Sequence, residues 1–426
     1  MFSNIILILF TLLVSGNYII KQKYLYFFSL TSIASILIIF ILLIFFFQNK
    51  KIKNQFVLLI SSTYFAFFLI NIFTKILFFE TQFESIQKFK TKNISLRPAV
   101  FPALFYNSED MMILSGLSNQ MTIYCREDDY WSIYMSDRYG FNNNDNVYEK
   151  KNKILLLGDS FTHGACVNEG NDIAGHLRKK GINAINLGMG GNSELTKLAT
   201  FREYGQFFEP KKIFWMYTIG DLGGFLNDIK SKKFSKYYYD DSFTQNLINR
   251  DEEKNLVIDK FLVPIERLEA RDSYIGIFTL YDLRKFLKLE IFPKINLIKK
   301  FNFSKSKEQT SGVIQRYDIL DTYKEIYSQK NLDLLLKNLL KVKRFCEVNK
   351  CQFSFVFLPS RKDLLNNKIS FPYKEDLFNI LKENEIRIID TEPDFLNLNI
   401  NDYMLSHYNS KGYEIVANKI AKNINF

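Results

Sequence analysis

Five short apolar segments, separated by stretches of helical pattern, constrain the fold of this chain more than any other feature of its sequence. Continuous apolar runs of this length are typical of strands that are buried on both faces of a parallel sheet. In α/β proteins such strands alternate with helices. We therefore predict an α/β fold, with a doubly wound parallel sheet of about five strands. The predicted strands are residues 153–157, 182–187, 212–217, 352–358 and 386–390.

Helical patterns follow the first two strands, over 168–180 and 193–208. Between the third and fourth strands lies a long insertion, at about 230–330, whose pattern is aromatic, charged and mostly helical. An insertion of this length within a compact domain is typical of a lid or a binding element. We assign 151–426 to the α/β domain and 81–150 to a connector with a few strand-like pieces.

The first eighty residues differ from the rest, because they hold few charges and three apolar stretches, at about 5–20, 24–47 and 56–79. A helix needs roughly 20 apolar residues to cross the hydrocarbon core, and the second and third stretches reach that length. The first is shorter and is alternatively the core of a signal peptide, but it lacks a basic start and a clear cleavage site. We predict transmembrane helices, about three spans, in 1–80.

The lysines between these stretches bear on the membrane orientation. Lys50, Lys51 and Lys53 predict that the second loop is cytoplasmic, which places the following domain outside, whereas Lys21 and Lys23 favour the opposite orientation. Long domains are translocated largely regardless of loop charge. We predict a multi-pass protein of the inner or plasma membrane, whose α/β domain is extracytoplasmic.

The formal net charge of +11 raises the question of a nucleic-acid partner. The basic residues are mixed with acidic ones, and the sequence contains no arginine-rich arm, zinc-finger spacing or RNA-binding signature. We expect no nucleic-acid partner, because a lysine-rich surface of this kind suits an anionic membrane or glycan.

The cysteine and histidine counts bear on metals and disulfides. The four cysteines form no C-x-x-C pair and the chain has 3 histidines, which argues against a zinc site. Two disulfides, Cys125–Cys166 and Cys346–Cys351, and four reduced, buried cysteines are equally compatible with this pattern.

A candidate nucleophile, Ser160, follows the first predicted strand where a helix begins. This places its hydroxyl at the carboxyl edge of the sheet, where backbone N–H groups and the helix dipole can stabilise an oxyanion. A serine needs a base, and His407, which follows the last strand, lies at the same edge. His163 and His176 share the local segment of Ser160, and we expect them to be structural or surface residues. The alternative for Ser160 is ordinary helix-cap chemistry.

Four blocks around these residues resemble those of the GDSL/SGNH hydrolase superfamily, over roughly residue 137 to the C-terminus. The resemblance implies an SGNH-like three-layer α/β/α fold, with the backbone N–H groups of Ser160 and Gly191 as oxyanion donors. The matching blocks are 158–160, 186–192, 218–221 and 407–412.

Two further runs, 136–143 and 164–167, resemble membrane-tethered bacterial members of that superfamily. In those members the two flanking cysteines go together, which implies a Cys125–Cys166 disulfide.

The sequence departs from the superfamily pattern at two positions. Gly220 stands where the third block normally supplies an oxyanion asparagine, and Met404 stands where the acidic partner of the histidine is expected. Asp402 is the nearest candidate for that acid, and a backbone carbonyl is the alternative, which would leave a Ser–His dyad.

These residues predict a serine esterase that acts on acyl bonds and needs neither a cofactor nor a metal. The resemblance implies a membrane-bound enzyme with acylated cell-surface glycans or lipids as substrates. Two alternatives stay open. One is an O-acyltransferase of surface polysaccharides, which uses the same residues, and the other is a non-catalytic binding module, which Gly220 favours. The sequence predicts no oligomeric state.

Overall fold

The structure, a computed structural model, describes residues 50–78, 82–105, 111–127, 130–263, 323–365 and 373–424. They fall into two compact units, one holding helix α1 (Lys50–Phe78) and the other all that is described from Gln82 onward.

The predicted membrane spans meet the described residues only at α1. The first two, 5–20 and 24–47, lie outside the described residues. The third falls on α1, and no helix in the described ranges is both long and apolar enough to cross a membrane.

The larger unit is built on two sheets. Its strands are β1 (Arg97–Pro98), β2 (Met121–Ile123), β3 (Ile133–Met135), β4 (Ile154–Leu157), β5 (Ala184–Asn186), β6 (Lys212–Tyr217), β7 (Gln352–Phe357) and β8 (Arg387–Asp390). The main sheet has the order β5-β4-β6-β7-β8 and all its neighbours are parallel, which confirms the predicted α/β fold with five parallel strands. Strands β1, β2 and β3 form a separate small sheet.

The helices of this unit are α2 (Gln82–Lys90), α3 (Ser160–His163), α4 (Ile173–Lys179), α5 (Glu194–Glu203), α6 (Asp221–Asp228), α7 (Ser235–Tyr239), α8 (251–263), α9 (Gln329–Asn349), α10 (Arg361–Leu365), α11 (Lys374–Glu383) and α12 (Ser410–Lys422). A further helical turn lies at 323–326.

Side chains alternate along each buried strand, so the main sheet contributes to two separate cores. On β4, Ile154 and Leu156 pack in the core shared with α4 and α12, whereas Leu155 and Leu157 pack in the core shared with α5, α9 and α11. The sheet therefore lies between two layers of helices, and all four β4 side chains are buried.

Helices α4 and α5 are shorter than predicted, for local reasons. Helix α4 begins at Ile173 instead of 168, because Gly170 has a positive φ of 80° and the Asp172 carboxylate accepts from Gly175 N at 3.1 Å, which caps the helix there. Helix α5 ends at Glu203 and is followed by a separate 3₁₀ turn, Gly205–Phe208.

In the segment predicted as a connector, 81–150, the described residues, which begin at Gln82, are part of the larger unit. The buried Asp137 carboxylate accepts from Tyr148 Oη at 2.6 Å and from Asn143 Nδ2 at 2.8 Å. The same Nδ2 also donates to the carbonyl of Asn186 on β5 at 2.8 Å. These bonds fasten the end of the connector to the edge of the main sheet.

Only part of the predicted insertion is described. Its residues 230–263 contribute Phe234, Tyr237 and Ile258 to the core on the α5 side of the sheet, so this part is packed against the unit. Residues 264–322 lie outside the described residues.

Candidate active site

Ser160, His407 and Glu127 form a continuous chain of hydrogen bonds at the carboxyl edge of the main sheet. The Oγ of Ser160 lies 2.9 Å from Nε2 of His407. On the other side of the ring, Nδ1 of His407 lies 2.5 Å from Oε1 of Glu127. An Nδ1–H that donates to the carboxylate leaves the Nε2 lone pair facing the serine hydroxyl. This is the arrangement that a serine needs for its proton to be removed.

Glu127 lies in the loop between β2 and β3 and contacts the histidine through both of its oxygens. While Oε1 faces the imidazole ring, Oε2 accepts from the backbone N–H groups of Ser406 at 3.0 Å and His407 at 2.9 Å. Burial alone raises the pKa of the Glu127 carboxyl, but these bonds from His407 and Ser406 outweigh it and lower the pKa below its usual value. The group is therefore an anion at neutral pH, and it fixes both the ring and the backbone of the histidine loop.

The structure does not place Asp402, the predicted acid, at the histidine. Asp402 ends a 3₁₀ turn, Ile400–Asp402, and its side chain is exposed. Met404, which occupies the usual position of the acid, is buried in the core instead. Glu127 takes the position that was predicted for Asp402.

The histidine loop is held by its own neighbours. Met404 and Tyr408 form an antiparallel bridge around His407, and Tyr408 Oη donates to the carbonyl of Pro359 at 2.6 Å. Asn409 caps α12, because its side chain accepts from Lys411 N at 3.1 Å and from Gly412 N at 3.2 Å. The residues that follow His407 thus orient the loop instead of taking part in the chemistry.

The candidate nucleophile, Ser160, is the first residue of the short helix α3 and lies three residues after the end of β4. The Asp159 side chain accepts from Phe161 N at 3.0 Å and from Thr218 Oγ1 at 3.1 Å, so it orients the turn. Gly158 is required for a close approach, because a Cβ at this position would lie 1.9 Å from Thr162 Oγ1. The Ser160 hydroxyl is half-buried and its backbone N–H belongs to the first turn of the helix.

Gly191, the second predicted oxyanion donor, lies in a tight turn beside the nucleophile strand. The turn is closed by Asn192 N, which donates to the Met189 carbonyl at 3.1 Å, and Gly191 has a positive φ of 76°. Asn192 Nδ2 donates to the Gly158 carbonyl at 3.1 Å, which ties this turn to the nucleophile turn. Gly191 itself is exposed, so its backbone is open to a substrate.

Gly220 lies in the turn before α6, where it supplies no side chain to the site. Its φ of −70° and ψ of −20° are helical, and a Cβ built at this position meets nothing within 4 Å. The backbone at this position thus leaves room for a Cβ, but a glycine offers no side-chain donor.

A buried ion cluster includes Asp221, the last residue of the third block, 218–221. Lys197 Nζ lies 2.5 Å from Glu194 Oε1 and 2.6 Å from Asp221 Oδ2, and all three side chains are almost completely buried. Burial raises the pKa of Asp221 to about 8 and also raises the pKa of Glu194, so one cation is shared between two acids that ionise with difficulty. Asp221 Oδ2 also accepts from Thr218 N at 2.7 Å, which fixes the end of β6.

The other two histidines, His163 and His176, form hydrogen bonds with residues other than Ser160. Gly190 N donates to Nδ1 of His163 at 3.2 Å, so Nε2–H of the same ring donates to Tyr134 Oη at 2.9 Å. Burial lowers the pKa of His163 to about 3, which keeps the ring neutral. His176 Nε2 lies 3.2 Å from Ser410 Oγ, between α4 and α12.

Both cysteine pairs are disulfides, Cys125–Cys166 and Cys346–Cys351. Within the described ranges, Cys125, Cys166 and Glu127 form a group whose ligand atoms lie within 4.8 Å of one another. The sulfurs are bonded to each other and the carboxylate is bonded to His407, so the three residues are not available to a metal in this state.

Glu127 is the residue that sequence reasoning missed. It lies 280 residues from its partner His407, and no spacing rule joins the two. A signal was nevertheless present, because Glu127 follows Cys125 by two residues and the resemblance implied that Cys125 pairs with Cys166, close to Ser160.

Comparisons with known proteins add no family assignment. The sequence matches no protein-family profile and no curated protein. Similar solved structures include a putative acylhydrolase from Bacteroides fragilis, with 12% identity, 65% of this chain and 87% of that chain covered, and a TM-score of 0.31.

A second similar structure is a putative lipolytic protein of the G-D-S-L family from Desulfitobacterium hafniense, with 14% identity, 64% of this chain and 100% of that chain covered, and a TM-score of 0.31. A third is a catalytic mutant of an acetylxylan esterase from Geobacillus stearothermophilus, with 14% identity, 65% of this chain and 95% of that chain covered, and a TM-score of 0.33. Likenesses at this level carry no argument about activity.

Proposed function

We propose that this chain is a serine esterase of the SGNH type, acting through an acyl-enzyme. The observation that carries the proposal is the Glu127–His407–Ser160 chain of hydrogen bonds, at 2.5 and 2.9 Å. A serine that only caps a helix, or a histidine with only a structural role, needs no such hydrogen-bonded chain of acid, base and hydroxyl, whereas acyl transfer by a serine triad requires it.

In the first half-reaction, His407 Nε2 takes the Ser160 Oγ proton while Oγ attacks the carbonyl carbon of the ester. The negative charge that develops on the carbonyl oxygen is held by the N–H groups of Ser160 and Gly191. Glu127 holds the ring in the tautomer with Nδ1–H and stabilises the imidazolium. His407 then gives the proton to the leaving alkoxide, and the acyl group remains on Ser160.

In the second half-reaction, His407 deprotonates a water molecule, which attacks the acyl-enzyme. As the bond between the acyl carbon and Ser160 Oγ breaks and the acid is released, His407 Nε2 returns the proton to Oγ. If a sugar hydroxyl takes the place of water, the same residues make the protein an O-acyltransferase. Release of free acid against transfer to an added sugar acceptor, measured on the same acyl donor, distinguishes the two.

A membrane-bound location with the catalytic domain outside fits this chemistry and gives acylated cell-surface glycans or lipids as the substrate class. The apolar stretch at 24–47 supports the anchor, since it has the length of a span. The disulfides Cys125–Cys166 and Cys346–Cys351 favour an oxidising compartment. Resistance of the protein to alkaline extraction from membranes tests the anchor, and non-reducing mass spectrometry of native material tests the compartment.

A fluorophosphonate probe tests the catalytic proposal without knowledge of the substrate. We expect the wild type to be labelled on Ser160, Ser160→Ala to be unlabelled, and Ser242→Ala, which removes an exposed hydroxyl in the insertion, to be labelled normally. If the folded wild type is not labelled at any pH between 6 and 9, the second candidate, a non-catalytic binding module, replaces the enzyme. The absence of a side chain at Gly220 is the observation that favours this second candidate.

A further inference from the structure

The acid Glu127 lies on a loop that is closed at its base and joined to another part of the chain by the Cys125–Cys166 disulfide. Backbone bonds join Tyr124 N to the Ser132 carbonyl and Ser132 N to the Cys125 carbonyl, each at 2.9 Å, and these bonds close the base. Cys125 is thus the last residue of the closed base on the side that follows β2, and Glu127 lies two residues beyond it.

The other end of the tie lies in the nucleophile segment. Cys166 follows Ser160 by six residues, in the turn that leaves α3, where Ala165 N donates to the Ser160 carbonyl at 3.0 Å. Tyr130, on the far side of the acid loop, donates from Oη to the Cys166 carbonyl at 3.3 Å. The disulfide therefore joins the loop of the acid directly to the turn of the nucleophile.

The disulfide is also adjacent to the carboxylate itself. A carboxylate oxygen of Glu127 and the two sulfurs of Cys125 and Cys166 all lie within 4.8 Å of one another. The covalent bond thus constrains the chain within one side-chain length of the group that holds the catalytic base. The second disulfide, Cys346–Cys351, joins two residues that are five apart in sequence at the end of α9, and it lies in none of the segments that hold Ser160, His407 and Glu127.

We propose that the Cys125–Cys166 disulfide is a positioning element of the catalytic site, and that it makes activity depend on the redox state of this one bond. This inference rests on the proposed function, since it acts through Glu127. Without the bond, the loop gains conformational freedom, and Glu127 must be ordered from a wider ensemble each time it meets His407. A displacement of about 1 Å at a catalytic group costs roughly 10²-fold in rate, which sets the effect that we expect.

The test compares fluorophosphonate labelling rates of five full-length proteins. These are the wild type, Cys125→Ala/Cys166→Ala, the matched control Cys346→Ala/Cys351→Ala, Glu127→Gln alone, and Glu127→Gln combined with Cys125→Ala/Cys166→Ala. We expect the first pair to lower the rate about 10²-fold and the control pair to change it less than about threefold. In the Glu127→Gln background, removal of the Cys125–Cys166 pair should cost less than about threefold further, because the group that it positions is already lost.

Reduction of the native protein gives a second measurement that needs no variant. A dithiol passes two electrons and two protons to the disulfide and becomes a disulfide itself, while Cys125 and Cys166 become thiols. We expect a brief pulse of dithiothreitol to lower the labelling rate of the wild type about 10²-fold, and reoxidation to restore it. The control is the Cys125→Ala/Cys166→Ala variant, whose rate the pulse should leave unchanged.

The outcomes separate this inference from the proposed function. A folded wild type that is never labelled refutes the proposed function. A labelled wild type whose rate changes less than about threefold on loss or reduction of Cys125–Cys166 overturns the positioning role alone. An equal loss in the wild-type and Glu127→Gln backgrounds also overturns it, because a general structural role would act in both. Melting curves of all variants show which losses follow from unfolding, and where the variant is unfolded the reduction pulse on the wild type decides.

Discussion

Replacement of Glu127 by glutamine tests the candidate site at its most specific point. Glutamine has the same shape, and its oxygen can still accept from the backbone N–H groups of Ser406 and His407, which lie 3.0 and 2.9 Å from Oε2. At the other position, an NH₂ group replaces the oxygen that lies 2.5 Å from Nδ1 of His407. Two donors cannot face each other at that distance, so Nδ1 must become the acceptor and the ring proton moves to Nε2.

This change of tautomer gives the size of the effect. With a proton on Nε2, the ring has no lone pair for the Ser160 hydroxyl, 2.9 Å away, although the backbone stays in place. Loss of the correct tautomer in a serine triad lowers turnover about 10⁴-fold, which corresponds to about 5.4 kcal/mol of transition-state stabilisation. We expect Glu127→Gln to reduce both fluorophosphonate labelling and hydrolysis of p-nitrophenyl acetate by roughly 10³- to 10⁴-fold.

Asp402→Asn is the discriminating comparison. The Asp402 side chain is exposed at the end of a 3₁₀ turn, so we expect its replacement to change the rate by less than about twofold. Melting temperatures check that both variants are folded. The reasoning is refuted if folded Glu127→Gln keeps its rate within about tenfold of the wild type, or if Asp402→Asn loses as much as Glu127→Gln.

Three further results are expected. Gly220→Asn should raise the labelling rate by up to roughly 10²-fold, because it adds a side-chain oxyanion donor at a position where the backbone is helical and a Cβ meets nothing within 4 Å. An unchanged rate would mean that the oxyanion site is complete without this side chain. Lys197→Met should lower the free energy of unfolding in urea by about 3–5 kcal/mol, because it leaves the buried carboxyls of Glu194 and Asp221 without their cation, and a loss below about 1 kcal/mol would contradict this. Burial lowers the pKa of His163 to about 3 from 6.5, so the unfolded chain binds a proton there that the folded chain does not, and the free energy of unfolding falls as the pH drops through this window. We expect His163 to contribute about 1.4 kcal/mol per pH unit to this fall, and His163→Gln to remove that contribution. If the free energy of unfolding has the same slope against pH in the wild type and in His163→Gln between about pH 6 and 4.5, the expectation is contradicted.

The main sheet could be predicted from the sequence because its strands are buried on both faces. The run from Ile154 to Leu157 reads as a strand without reference to any other part of the chain, since every side chain in it is apolar. Strand β1, Arg97–Pro98, has two residues and carries no such pattern, because its pairing with β2 depends on contacts distant in sequence. The limits of α4 also followed from local geometry, at Gly170 and Asp172, that hydrophobic periodicity does not record.

The candidate site could also be predicted in part from the sequence. The nucleophile and the base, Ser160 and His407, each lie in a local block beside a predicted strand, so their residue types and positions point to the same edge of the sheet. The acid has no such block. Glu127 is one acidic residue in a connector, and only the folded chain brings it to His407. Asp402 is close to His407 in sequence, but this closeness does not bring its side chain to the ring.

The sequence separations in the triad have a consequence for biosynthesis. Ser160 and His407 are 247 residues apart, and Glu127 precedes His407 by 280. Because synthesis runs from the N-terminus, β4, β5, β6 and the whole insertion emerge while the serine still lacks its base. A nascent or prematurely terminated chain therefore carries an inert hydroxyl, and the histidine loop can close only after β7 and β8 have been added to the sheet. The hydrogen bond between His407 and Ser160 can therefore form only when almost the whole chain, up to the start of α12, has been made.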